Sequence, residues 1–561
     1  MPLGILESRE PEVPGTVYIL DHANASDNIQ LDPNLKHDTS GKVTRILVPQ
    51  PSDDPNDPLN WSIWKRDRIL FIISLQAVIA ASLSPLLAAD TVSLSLYYGR
   101  GYTFTKVALL TGYHLLGVGI GGVLFVPSSR IWGKRHAFLL GNLIVIISSA
   151  WGGGSGKNYK SALAARIFQG IGLAPFEALV NATVGDLYFV HERGKRMALT
   201  NFCVFGGSFM TPIIVGKMAS TLGWPWTFYF VAIFSAAMFP LLFFFVPEMA
   251  YRRDDRLNTD MGLIVLGTNQ LATSTTTPAG VLDSHDQHTS PSESFAEKPT
   301  SAPAAHLQAQ SFKSSLSPFN GRKTDEAFWK LFLRPFPLFL HPTIFWAVLI
   351  QGTLIGWTVF LGIVLAAIML GPPLFFNEVK TGYMYTGAFI GAIIGFLIAG
   401  LLSDSIPNYL TRRNGGRYEP EFRLWLVLPQ LILGCAGLYG FGITSDNTYK
   451  YGWFWPDFFF ALEVAGMVVG AVASSLYVVD AHRGIAIEAF TCMMVFKNVF
   501  SFGLTFSGYD WLAATGIKPI FIAIASVQVG VCLLTIPLYI FGKRNRAFLA
   551  KHDILKAIGL S

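Results

Sequence analysis

The stretch IFWAVLIQGTLIGWTVFLGIVLAAIML, running from Ile344 to Leu370, carries no charged side chain from end to end. Coiled as an α-helix with a rise of about 1.5 Å per residue, it reaches about 40 Å, more than the roughly 30 Å of hydrocarbon in a bilayer. A helix satisfies its backbone N–H and C=O groups internally, as an apolar solvent demands. The stretch therefore predicts a transmembrane helix. Comparable runs recur at Ile69–Ala89, Phe138–Ala150, Phe228–Val246, Thr386–Leu402 and Ile520–Phe541. The whole chain is 51% hydrophobic and only 14% charged, whereas a soluble domain is about a quarter charged. That deficit excludes a soluble globular enzyme. Nor does the net charge of +6 point to nucleic acid, because the basic residues fall in loops between apolar runs, where they set membrane orientation.

Apolarity places twelve spans, near 68–90, 107–127, 136–151, 162–182, 198–220, 226–247, 343–370, 381–402, 424–443, 457–479, 485–507 and 519–541. A glycine-rich break at Trp151–Gly156 separates the third from the fourth. With the N-terminus inside, one set of loops receives Arg130, Lys134, Arg135, Arg193, Arg412, Arg413, Arg423 and Arg546, and the other side receives far fewer cations. The positive-inside rule then puts both termini in the cytoplasm. The plasma membrane is the expected location, with the vacuolar membrane as the alternative, and the protein is expected to be a monomer.

Between 250 and 341 the character changes. Thr273–Pro318 is rich in Ser, Thr, Pro and Ala and cannot bury enough apolar area to offset its ordering entropy. It reads as a disordered cytoplasmic linker, followed by an interfacial helix over Trp329–Phe339. Residues 1–66 read as a largely disordered cytoplasmic tail and 542–561 as a second tail. The expected fold is thus an all-α membrane protein of twelve helices in two six-helix pseudo-symmetric halves, 67–249 and 342–541. A faint repeat supports the division: Gly122 leads to Arg130, Gly133, Lys134 and Arg135 in the first half, and Gly400 to Asp404, Arg412 and Arg413 in the second. Two similar halves are what rocking, alternating access requires.

The 122–135 loop, together with Arg166-Ile-Phe-Gln169-Gly170-Ile-Gly172, resembles the signatures of the major facilitator superfamily. Ala174-Pro175-Phe176-Glu177-Ala178 and Asp186 to Gly194 resemble a fungal branch of its twelve-span drug:proton antiporter group, the branch that includes organic-cation and polyamine transporters. Asp57-Pro58-Leu59-Asn60-Trp61-Ser62, Val246-Pro247-Glu248 and Arg412-Arg413-Asn414-Gly415-Gly416 are similar to the same branch. The resemblance implies the major facilitator fold and proton-coupled movement of a small organic molecule, as efflux of drugs or secondary metabolites or as uptake of organic cations or polyamines. The first-half loop departs from the family by placing Ser129 and Arg130 where an acid is usual, so its gate is expected to latch differently.

Charges inside spans are costly and point to function. Glu177, mid-span beside Pro175, reads as an isolated carboxylate suited to carry a proton or to attract a cation. Arg166 lies three turns earlier on the same helix, and the resemblance implies that it takes part in proton transfer. Lys497 and Asn498 sit mid-span in the eleventh run, and Glu463 and Glu488 are the acids proposed to meet Lys497. Asp90, Asp186 and Asp480 fall at span ends, where solvation or capping is expected. Asn181, Gln351 and Trp357 are candidate cavity residues, as are Gln76, Tyr383 and Tyr385. Gly122, Arg130, Gly133, Lys134, Arg135, Asp404, Arg412 and Arg413 are candidate gate residues. Cys203, Cys435, Cys492 and Cys532 lie inside apolar runs and read as small hydrophobes. There is no phosphate loop, nucleophile elbow or zinc motif, so no cofactor or metal is expected and the chain reads as no enzyme. A membrane-embedded enzyme and a transport-inactive sensor remain as readings of another class.

Overall fold

The computed structural model describes residues 2–9, 13–18, 36–38, 45–99, 104–253 and 310–560. Eleven helices among them are long and apolar enough to cross a membrane. The first half holds α1 (Ile63–Ala81), α2 (Phe104–Trp132), α3 (Arg135–Gly153), α4 (Tyr159–Leu187), α5 (Arg193–Leu222) and α6 (Trp224–Phe245). The second holds α7 (Pro342–Leu370), α8 (Tyr385–Arg413), α9 (Cys435–Ser445), α10 (Phe454–Ala481), α11 (Ala486–Thr515) and α12 (Ile517–Leu533), which continues as α13 (Thr535–Lys551). The apolar span that contains α9 begins at Pro420.

The first span, α1, is not among those eleven, and its sequence explains why it is unlike the rest. The first turns of α1 carry Lys65, Arg66, Asp67 and Arg68, which shortens its apolar run. The run expected over 68–90 then breaks after Ala81 and restarts as a short helix, Thr91–Tyr98. Pro85 is the reason: it donates no hydrogen bond and disfavours helical backbone at the residue before it.

Within each half the helices cross at glycines. A Cβ on Gly170 of α4 would lie 2.0 Å from the His114 carbonyl of α2. The second half repeats this at the same place, where a Cβ on Gly391 of α8 would lie 2.1 Å from the Ala461 carbonyl of α10. Such approach suits lipid, where helices associate by close packing of small residues rather than by a hydrophobic drive. The halves meet along α2 against α11 and α5 against α8.

At the end of the bundle that carries both termini, here called the basic end, Asp480 joins the halves. Its side chain is fully buried, with Arg193 Nη1 of the first half at 3.1 Å. From the second half, Arg423 Nε lies 3.0 Å away and the Tyr418 hydroxyl donates at 2.6 Å. The expectation that Asp480 is solvated or merely caps a helix is therefore corrected: the span end is covered by the partner half.

What covers it includes the tail. The described parts of residues 1–66 pack against the basic end, a correction to the expected disorder there. Val17 and Tyr18 pair with Tyr418 and Arg417 as two short antiparallel strands. Ile5, Val17, Val48, Val190, Tyr418 and Phe422 form one small apolar cluster that draws on both halves. The Val190 amide donates to the Val48 carbonyl at 3.0 Å, and Asp57 takes a paired contact from Arg253, the closest at 2.7 Å. Composition hid this, because a few apolar residues suffice when the partner surface already exists. Burial alone would raise the Glu419 carboxyl, but Arg546 and Lys543 outweigh it and hold it below its ordinary value of 4.5. Its contribution is thus present above that value and lost as pH falls through the depressed one.

Most of Thr273–Pro318 lies outside the described residues. Its last part contains a short helix, Phe312–Ser315, and the Leu316 carbonyl accepts from Arg135 at 3.1 Å. The expected interfacial helix forms as two pieces, Phe328–Leu333 and Pro335–Leu338, with Trp329 exposed and Leu331 buried.

Two outcomes follow for stability. Asp480→Asn leaves Arg193 buried without its charge partner and Arg423 with only the longer contact to Asp404, at 3.4 Å, and should cost about 3–5 kcal/mol, read as a fall in the melting temperature of detergent-solubilised protein. An unchanged melting temperature would show that the cluster holds nothing. Gly170→Val should prevent α2 and α4 from meeting and abolish folded protein in size-exclusion profiles, whereas Gly400→Ala, where no heavy atom stands within 4 Å of the added carbon, should not.

Candidate functional site

Between the halves lies a cavity of about 140 Å³. One face of α7 lines it in a helical stripe: Ile355, Thr358, Val359, Gly362, Ile363 and Ala366. The spacing of three and four residues is that of neighbours on one helix face. Phe205 and Phe209 of α5 and Tyr385 of α8 add aromatic surface. Into this apolar space project two charges, Glu177 of α4 and Lys497 of α11.

These two charges meet. Lys497 Nζ lies 3.0 Å from Glu177 Oε2, with both side chains nearly buried. Asn498 Nδ2 approaches the same oxygen at 3.4 Å while also donating to the Met494 carbonyl, one turn back on α11, at 2.9 Å. The Lys497 ammonium also stands over the Phe205 ring, 5.9 Å from its centroid. The carboxylate read as isolated is therefore half of an ion pair, and the partner of Lys497 is Glu177 rather than Glu463 or Glu488. The pair spans the two halves, so it is sensitive to their separation. In an apolar cavity each charge depends on the other, since burying either alone is costly.

The other candidates separate. Glu463 is fully buried behind the cavity wall, in contact with Thr358. Asn181 accepts from Thr200 at 3.0 Å and thereby packs α4 on α5. Gln351 accepts from Ser474 at 3.3 Å. Trp357 stacks edge-on against Phe500 with centroids 4.9 Å apart. Gln76 donates to Asn142 at 2.8 Å within the first half, and Tyr383 is half exposed. Among the cavity candidates Glu177, Lys497, Asn498 and Tyr385 line the space, and these others do not.

Arg166 is buried, and its guanidinium is spent on oxygen atoms of uncharged groups. It reaches the Leu83 carbonyl at 2.7 Å, Gln169 Oε1 at 3.1 Å and the Leu110 carbonyl at 3.3 Å. Leu83 lies in the break of the first span, where the interrupted helix leaves carbonyls without partners. The arginine thus clamps that break.

The gate candidates cluster at the basic end. Asp404 of α8 receives the Lys195 amide at 3.3 Å, across the halves, and Gly194 allows the approach, since a Cβ there would fall 2.0 Å from the carboxylate. In the first half Glu248 plays the matching part, accepting from the Lys134 and Arg135 amides at 2.9 and 3.1 Å. Gly133, at φ +89°, leaves room for it. Lys134 pairs with Asp186 at 2.7 Å. Arg130, standing where the family usually has an acid, donates to the Gly484 carbonyl at 3.0 Å and faces Glu488 at 3.6 Å, both in the other half. Gly122 admits Met494 of α11. Arg412 and Arg413 are exposed, Arg413 lying over Tyr409. Sequence reasoning missed the central trio Arg193, Asp480 and Arg423, and also Thr358, Phe205 and Phe209. The stripe on α7 was readable as a period, but nothing local says which stripe faces a cavity.

Comparison with known proteins agrees with this architecture. The chain is 25% identical to Protein HOL1 of Saccharomyces cerevisiae, over 98% of this chain and 97% of that one. It is 24% identical to MFS transporter cpaT of Aspergillus oryzae, over 88% and 90%. Among solved structures, a proton:xylose symporter, XylE, superposes with a TM-score of 0.56 at 14% identity, covering 85% of this chain and 96% of that one. A human organic anion transporter, MFSD10, gives 0.51 at 14%, over 84% and 99%. The sequence model described as Major Facilitator Superfamily matches residues 67–496. With its two six-helix halves around a shared cavity, this chain belongs to the major facilitator superfamily, a membrane transporter of small molecules and not an enzyme.

Proposed function

We propose that the protein is a proton-coupled exporter of small organic molecules, drugs or secondary metabolites, and that Glu177 with Lys497 is its coupling site. The observation that carries this reading is the ion pair that joins the halves inside a largely apolar cavity. A proton on Glu177 removes the attraction and frees Lys497. A cationic substrate would displace Lys497 and take the same carboxylate. Proton and substrate then compete for one oxygen pair, and competition at one site yields exchange rather than co-transport. With protons entering down their gradient, exchange exports the substrate. Phe205, Phe209 and Tyr385 supply flat apolar faces suited to such a molecule, with cation–π attraction in addition. Arg166 acts in this scheme by fixing the broken first span beside the cavity rather than by carrying the proton.

The gate at the basic end is formed by Asp480, Arg193 and Arg423, supported by Arg130, Lys134, Arg135 and Asp404. We place that end in the cytoplasm, with both termini, from the excess of Lys and Arg there. The plasma membrane is the proposed location, and the monomer is the proposed working unit.

Tags at the N-terminus, near Ser290 and at the C-terminus should all be protected in intact cells, and a tag near Lys450 should be accessible to added protease. One misplaced tag would overturn the orientation. Glu177→Gln keeps the shape but not the charge. It should abolish efflux of a fluorescent organic cation driven by an imposed proton gradient, measured per amount of folded protein in the membrane. Losing a charge-assisted contact costs roughly 1.5–3 kcal/mol, about ten- to a hundredfold in affinity for such a cation. Efflux with an unaltered pH profile would remove Glu177 from the coupling.

A further inference from the structure

Glu463 of α10 lies one layer behind the cavity wall, and its Oε1 stands 2.5 Å from Thr358 Oγ1. Thr358 itself faces the cavity. A hydroxyl has one proton to donate, and this one has a second acceptor, the Leu354 carbonyl one turn back on α7, at 2.8 Å. That carbonyl is the usual partner of a threonine within a helix. With the hydroxyl proton given to Leu354, the short contact to Glu463 requires a proton supplied by the carboxyl. The other oxygen, Oε2, is buried with no hydrogen-bond partner among the described residues. A carboxylate there would be an uncompensated charge in apolar surroundings, whereas a neutral acid leaves one acceptor unpaired, a far smaller cost.

Among the described residues no cation offsets the charge. The helices α7 and α9, packed on α10, contain no Lys, Arg, Asp or Glu. The titratable group that faces Glu463 from α9 is the Cys435 thiol, itself against Cys532 of α12. On α11, Lys497 is paired to Glu177. The charges of α5 and α8 lie towards the helix ends, at Arg193, Lys195, Arg196 and Lys217 and at Asp404, Arg412 and Arg413, and that of α12 is Lys518 in its first turn.

We propose that Glu463 is a second proton-binding site, a neutral acid that exchanges its proton with the cavity through the Thr358 hydroxyl. The step balances as a relay. The Thr358 hydroxyl proton first turns from the Leu354 carbonyl to a water in the cavity, and Glu463 then passes its proton to Thr358 Oγ1 while the hydroxyl's own proton leaves to that water. The hydroxyl then donates to the new carboxylate. One proton leaves, and no other bond changes. The cavity thereby has one acid in each half: Glu177, with a cation beside it, and Glu463, with none among the described residues. The role of Glu463 in transport rests on the proton-coupled reading above, but its binding of a proton does not.

Infrared spectroscopy of the purified full-length protein in lipid nanodiscs tests this without a substrate. At neutral pH the carbonyl stretch of a protonated carboxylic acid should be present, lost in Glu463→Gln and kept in Glu177→Gln. In Thr358→Val, which removes the hydrogen bond and keeps the shape, the band should move to higher frequency. In D₂O it should move lower, because the acid proton exchanges with cavity water. Equal bands in wild type and Glu463→Gln would overturn the proposal. So would a band that does not move in D₂O while the protein stays folded. If Glu463→Gln does not fold, Thr358→Val decides, and an unmoved band there overturns it. Should the band behave as expected while Glu177→Gln leaves gradient-driven efflux intact, the Glu177 coupling falls and the second site stands.

Discussion

The closed end of this transporter depends on one carboxylate. Asp480 takes a guanidinium from each half and a phenol besides, with its side chain wholly out of water. A buried ion pair rarely adds net stability over apolar packing, but removing one member is severe. Such a contact therefore works best as a statement about geometry: the halves are either together here or separated with water between them. Everything above it follows from that closure. The cavity has a floor, the tail has a continuous surface to lie on, and Glu177 and Lys497 stand within reach of each other.

The two pairings share a logic but differ in how they divide when the halves move apart. At the basic end Arg423 and Asp404 belong to the same half as Asp480 and stay with it. Arg193 leaves alone, yet it retains the Tyr188 and Gly185 carbonyls of its own half, both at 3.1 Å. Opening thus exposes one cation that keeps part of its shell, and it does so into water. In the cavity Glu177 and Lys497 belong to opposite halves, so separation strips each of its charge partner. The basic end is built to open at modest cost, while the cavity pair is built to need a replacement, a proton or a solute.

Much of this was legible in the sequence because the bilayer imposes simple rules. Long uncharged runs become helices, loop cations set orientation, and small residues mark crossings; spans such as 343–370 against Pro342–Leu370 agree almost to the residue. The two halves follow from the polar interval between them. Pairing across the fold was not legible. Glu177 and Lys497 are both conspicuous as intramembrane charges, yet nothing near either names the other, since the contact joins residues some three hundred positions apart. Asp480 was misread for a related reason: at a span end the local expectation is water, and only the tertiary fold shows that Tyr418, Arg193 and the tail exclude it. The tail was misjudged because low apolar content argues against an independent core, not against docking on an existing one.

The tail also changes what opening the basic end entails. Its early part is fixed to the second half through Val17, Tyr18 and the Leu6 amide, which donates to the Ile540 carbonyl at 3.0 Å. Its later part is fixed to the first half through Val48 and Asp57. Ile5, Val17 and Val48 fill the space between Val190 of one half and Phe422 of the other. Separating the halves must open this cluster and hydrate its apolar faces, at about 25 cal/mol for each Å² exposed. The Asp480 contact is electrostatic and gains from water entering, whereas the tail contact is apolar and loses by it. The closed end therefore combines one fastening that solvent releases with one that solvent opposes.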